Sequence, residues 1–118
     1  MEIKAIQRQL SEFAKTRDWD QFHSPKNLAA ALVVEAAELL EPFQWLKEDE
    51  SRALADRPAE YAAVREEIAD VLIYLLRLAD QLNIDMEQAV AEKMQRNAEK
   101  YPVALAKGNA VKYNRRDI

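Results

Sequence analysis

The chain has 118 residues, 49% of them hydrophobic, with a single Gly, four Pro and no Cys. That composition excludes a disulfide scaffold or a disordered segment and fits one helix-rich domain burying roughly two-thirds of its unfolded surface. Seventeen Lys+Arg against twenty-one Asp+Glu give a net charge of −4, so there is no field to hold a DNA or RNA backbone, and polymeric nucleic acid is excluded as a partner.

The opening "MEIKAIQRQL" interleaves charge with apolar residues, which predicts neither a signal peptide nor a membrane span and points to a cytoplasmic protein. Ile3, Ile6, Leu10 and Phe13 recur at helical spacing and predict an amphipathic helix over 2–16. The polar run "TRDWDQFHSPKN" breaks that period. Ser24 followed by Pro25 is a helix start, and the second helix runs over 25–41. Pro42 ends or bends it, and "EPFQWLKEDESRALADR" reads as mostly connection. A third helix occupies 58–82. Asp85 and Gln88 form a capping-box pattern for a fourth over 86–100, which Pro102 stops. The tail 103–118, with the only Gly and "KYNRR", reads as irregular. The expectation is an all-α four-helix bundle in a single domain, 1–118.

At about 100° per residue, Glu35 falls inside the apolar stripe of Leu28, Ala31, Leu32 and Leu39. Glu38 lies at its edge one turn on, with Cβ atoms about 5–6 Å apart, and Glu41 continues the row. On the third helix Val64, Ile68, Val71, Leu72, Leu75 and Leu82 form the stripe, while Glu67, Asp70 and Tyr74 line its border and Glu66 points outward. Two inward-leaning acid pairs, Glu35/Glu38 and Glu67/Asp70, thus sit on the two most apolar helices. Removing four carboxylates from water costs several kcal/mol each unless they are protonated, paired or bound to a cation. The ordinary alternative is that Glu41, Glu66 and one or two others are solvated or paired with Lys47, Arg65 or Arg77. An all-oxygen donor set suits Mg²⁺ or its substitute Mn²⁺. Zinc is disfavoured because Cys is absent, and His23, the only His, lies in a loop, so the Glu-x-x-His pairs of a di-iron bundle are missing as well.

With one Gly there is no phosphate-cradling loop. Side chains must supply phosphate contacts, and Lys93, Asn97 and Tyr101 share a face of the fourth helix, flanked by Arg96 and Lys100. A solvated basic helix end is the bland explanation. Trp19 and His23 precede the acid helix and Trp45 follows it, offering flat surfaces to a base. Trp45 or Phe43 could equally staple the bent helix end, and Phe22 is expected in the core. Leu28 to Val34 carries no charge, so the second helix must be covered all round, which predicts a homo-oligomer.

The blocks "RDWDQFHSPKNLAAALVVEAAELLEPFQW", "EEIADVLIYLLRLA" and "AVAEKMQRNAEKYP" followed by "GNAVKYN" occur in this order. In them the chain resembles the all-α nucleoside triphosphate pyrophosphatases, the MazG-like group, and most closely its dCTP pyrophosphatase branch. The resemblance covers nearly the whole chain. It implies an Mg²⁺-dependent enzyme of nucleotide-pool sanitation that cleaves dCTP or a related modified deoxynucleotide between the α- and β-phosphates, giving the monophosphate and pyrophosphate. It places the metal on Glu35, Glu38, Glu67 and Asp70, the base against Trp19, His23 and Trp45, the sugar on Tyr74, phosphate on Lys93, and sugar or phosphate on Asn97 and Tyr101. It also implies a homodimer or homotetramer with sites shared between subunits. Many relatives carry two consecutive acids where this chain has Val34 before Glu35, a departure that leaves the general base unassigned, with Glu41 a candidate. The alternatives are the same chemistry on dUTP or a broad set of nucleotides, and a non-catalytic helical module holding a structural cation.

Overall fold

The spacing of Ile3, Ile6 and Leu10 produces the first helix, α1 (Ile3–Thr16), in the computed structural model, which describes residues 1–116. Ser24 caps α2 (Pro25–Leu40), its hydroxyl accepting from the Asn27 N–H at 3.2 Å, with Pro25 at the first helical position. At the other end Pro42 does not break the chain away. The Glu41 N–H turns to the Glu38 carbonyl, and Glu41–Phe43 tightens into a 3₁₀ turn. Proline cannot supply the N–H that an α-helix would send to that carbonyl, so the shorter-range bond replaces it.

The segment expected to be mostly connection holds more structure than its composition suggests. It contains the short helix α3 (Glu48–Arg52) and a 3₁₀ turn at Leu54–Asp56. The Glu50 carboxylate fixes it from both sides, accepting from the Lys47 N–H at 2.8 Å and from Arg57 at 2.6 Å. Next comes α4 (Pro58–Gln81), the longest helix. Both α1 and α2 pack against α4, and the Gln7 amide donates to the Leu76 carbonyl at 2.9 Å. The core therefore runs along α4, where Val64, Leu76 and Ala79 are buried together with Ala14 of α1 and Leu28 of α2. Each buried leucine contributes about 1.5–3 kcal/mol relative to exposure.

Two helices end in the same way without glycine. Asp18 and Asn83 take the left-handed conformation at φ 55° and 54°. After α1 the N–H groups of Asp18 and Trp19 reach back to Lys15 and Ala14, and after α4 those of Asn83 and Ile84 reach back to Asp80 and Ala79. This double closure satisfies carbonyls that a helix end leaves free.

The chain divides into two units, the first Met1–Ile84 and the second beginning at Asp85. The second holds α5 (Met86–Lys100), capped by Asp85, whose carboxylate accepts from the Gln88 N–H at 3.0 Å. The tail is not irregular throughout: Val103–Ala106 forms a short helix, α6, and Tyr113–Arg115 a 3₁₀ turn. The last two residues of the expected tail, 117 and 118, lie outside the described residues. Among the described residues there is no strand, and no helix is long and apolar enough to cross a membrane.

Candidate functional site

Because α2 packs on α4, acids at helical spacing on each are brought face to face. Glu35, Glu38 and Glu67 each present a carboxylate oxygen within 4.8 Å of the others. All three side chains are partly buried, and one oxygen each of Glu35 and Glu67 is out of contact with water and has no hydrogen-bond partner. Carboxylates so placed cannot all stay ionised unaided. The Glu35 pKa is pushed up from 4.5 to about 7, chiefly by the hydrogen bond its protonated form could make to Glu67, then by burial and by the charges of Glu38 and Glu67. Two buried acceptors lacking donors, in an all-oxygen set of three, fit a hard divalent cation.

Asp70, expected as the fourth of this group, is not among the three converging carboxylates. It lines instead a cavity of about 370 Å³ formed by α1, α4 and the loop between α1 and α2. Leu10, Phe13, Ala14 and Ile73 make the apolar part of its wall, and Trp19, His23, Tyr74 and Arg77 complete it. The closing turn of α1 positions Trp19, whose ring meets Phe13 edge-on with centroids 5.7 Å apart and lies 6.1 Å from the His23 ring. Burial and the Arg77 charge lower the His23 pKa, against an opposing pull from Asp20. The structure thus brings Trp19, His23 and Tyr74 to one cavity.

Other expectations do not fit. Trp45 is 87% exposed, so within this chain it neither staples the helix end nor joins Trp19; the partly buried Phe43 lies nearer the core. Phe22, expected in the core, is 59% exposed. Its 3₁₀ turn (Asp20–Phe22) turns Asp20 and His23 toward Arg77 instead. Ile68 and Leu82, assigned to the buried stripe of α4, are 55% and 48% exposed. Glu41 is exposed in its turn, outside the group of three. Arg77 does not pair with Glu41 or Glu66; it is buried and bonded to Asp20. The sequence reading missed this Arg77 and Asp20 pairing, although Asp70, Tyr74 and Arg77 fall on one face at i, i+4 and i+7, a signal that could have found it. In the second unit Lys93 and Asn97 are exposed on α5, and Tyr101 at its end packs edge-on against Tyr113 at 6.1 Å.

Helices that pair carboxylates beside an apolar, aromatic-lined cavity define an all-α protein with a cation-type acid cluster. Residues 30–115 match a family model described as MazG-like, and the chain belongs to that MazG-like family. It is 50% identical over 111 residues to dCTP pyrophosphatase 1 of Mus musculus and 46% identical to the Homo sapiens protein of the same name. Each alignment covers 94% of this chain, which spans only 65% of the length of these curated relatives. A solved pyrophosphatase from Archaeoglobus fulgidus superposes with a TM-score of 0.76 at 45% identity, covering 86% of this chain and 94% of that one.

Proposed function

We propose that the protein is a nucleoside triphosphate pyrophosphatase that hydrolyses dCTP or a related modified deoxynucleotide to the monophosphate and pyrophosphate, using Mg²⁺, in the cytoplasmic nucleotide pool. The observation that carries this reading is the group of three carboxylates with two buried, partnerless oxygens, and the names of the dCTP pyrophosphatase relatives support the substrate. In this reading Glu35 and Glu38 of α2 and Glu67 of α4 hold the cation, with Asp70 one turn beyond Glu67 contributing from the cavity wall. Bound Mg²⁺ supplies neutralisation of the triphosphate oxygens and acidification of water.

The chain's own part is placement and exclusion. Without a cation the acids would repel a polyanion, so they bind substrate only in metal-loaded form. The cavity beside Asp70 falls within the size range of small-molecule sites. Its apolar wall sheds water while Trp19 and His23 take the base and Tyr74 the sugar. Lys93, Asn97 and Tyr101 keep the phosphate and sugar roles that the family resemblance gives them, and Trp45 keeps its base role only if a second copy brings it to the site. The exposed apolar residues of α2 support a homodimer or homotetramer.

Incubation with dCTP and Mg²⁺ in ¹⁸O-water tests the reading. Release of pyrophosphate with the label in dCMP, abolished by EDTA, is the expected result. Stepwise release of orthophosphate, or no turnover of any nucleotide in a panel including dUTP, would overturn it.

A further inference from the structure

Arg77 is only 4% exposed, and a buried guanidinium is tolerated only among acceptors. Its Nη2 donates to Asp20 Oδ1 at 2.7 Å and its Nε to His23 Nδ1 at 3.2 Å, while Asp80 Oδ2 lies 3.9 Å from Nη1. With the Gln81 amide turned so that its oxygen faces inward, that oxygen accepts from both terminal nitrogens at 3.2 Å. A guanidinium only donates and does not lose its charge. His23 Nδ1 must therefore be a bare acceptor, and the ring proton must sit on Nε2, the nitrogen left to meet a ligand. His23 and Arg77 both line the cavity beside Trp19.

We propose that Arg77 is a positioning residue that locks His23 in its Nε2–H tautomer, so that the cavity presents a hydrogen-bond donor and selects pyrimidines offering an acceptor at that edge. This inference rests on the reading of the cavity as the base site. A cytosine ring presents O2 and N3 as acceptors and its 4-amino group as a donor, whereas a uracil ring presents N3–H as a donor between the acceptors O2 and O4, so the Nε2–H tells them apart where it meets N3. A fixed donor facing another donor leaves two buried groups unpaired, which is how a polar site rejects a near-isostere. Asp20 holds the far side of the guanidinium, so it orients His23 at second hand. The lowered pKa of His23 agrees with a ring that stays neutral and keeps this tautomer.

His23 is the only histidine of the chain, so a long-range ¹⁵N–¹H correlation spectrum shows one imidazole. In the wild type without nucleotide, Nδ1 should appear unprotonated and Nε2 protonated. Arg77→Met, which keeps an apolar stem but no donor, should show mixed tautomers. It should also lose about tenfold in the preference for dCTP over dUTP, the size of one hydrogen bond, through KM rather than kcat. Asp20→Asn, which leaves the Arg77 bond to His23 possible, should fall between the two and carries the test if Arg77→Met does not fold. A protonated Nδ1 in the wild type overturns the proposal, as does a folded variant with mixed tautomers and unchanged preference. Absence of nucleotide hydrolysis overturns the proposed function instead, and the substrate-free spectrum distinguishes the two failures.

Discussion

Glu35 faces the carboxylates of Glu38 and Glu67, and the consequence is a stability that depends on pH in an unusual direction. Its folded pKa is raised from 4.5 to about 7 by the hydrogen bond its protonated form could make to Glu67, by burial and by neighbouring charge. Between those values the native state binds more protons than the unfolded state, so the contribution is complete below 4.5 and is lost as pH rises to about 7. His23, with its lowered pKa, acts oppositely, stabilising above its unfolded value and losing that contribution as pH falls. Comparison with Glu35→Gln isolates the acid. In EDTA at pH 8, Glu35→Gln should melt higher than wild type, and the difference should vanish toward pH 4.5. Mg²⁺ at ten times its dissociation constant should raise wild-type stability by about 1.4 kcal/mol and affect the variant much less. A variant that melts lower than wild type at pH 8 in EDTA would make Glu35 an ordinary structural acid.

The faces of α1 and α4 make most of the cavity wall, and the end of α1 adds Trp19 to it. Asp18 at φ 55° closes α1 and delivers Trp19 onto Phe13, with the Arg17 guanidinium 3.5 Å from the centre of the Phe13 ring. Left-handed backbone is open to Gly and tolerable for Asp, but costs a residue with a plain Cβ about 1–2 kcal/mol. Asp18→Ala should therefore destabilise the fold by about 1 kcal/mol and shift Trp19 fluorescence to the red, whereas Asp18→Gly should keep the wild-type spectrum. Denaturant unfolding with emission spectra checks both, and Trp45→Phe removes the second emitter. An Asp18→Ala protein with wild-type stability and emission would mean that the closing turn does not hold the tryptophan.

At the scale of the whole molecule, the helices that carry the acids also leave apolar residues in water. Val33, Val34 and Leu40 of α2 are 68%, 55% and 62% exposed, and Ile68 of α4 is 55% exposed. In the proposed homo-oligomer these are the residues a second copy would cover. Sedimentation equilibrium should return two or four times the chain mass. Val34→Lys, which places a charge on that face, should shift the population toward monomer without loss of helix content. A wild-type monomer across the micromolar range would leave α2 exposed and remove the shared-site expectation, including any role for Trp45 at the base.

What the sequence by itself determined was whatever depends on neighbours within about one helical turn. Ser24, Pro25, Pro58 and Asp85 mark helix starts because caps and proline act on the adjoining turn, and α2, α4 and α5 begin at Pro25, Pro58 and Met86. The spacing of Glu35 with Glu38 was legible for the same reason. The resemblance of three ordered blocks carried the family. Tertiary structure alone decided how each helix is rotated against its neighbour. That rotation sets Glu67 beside Glu35 while leaving Asp70 to the cavity, and it exposes Ile68 on a stripe that looked continuous. It also buries Arg77, because the loop from α1 to α2 brings Asp20 and His23 from more than fifty positions away. A helical wheel fixes angles about one axis, whereas burial depends on which second surface arrives, and only packing between distant segments supplies that surface.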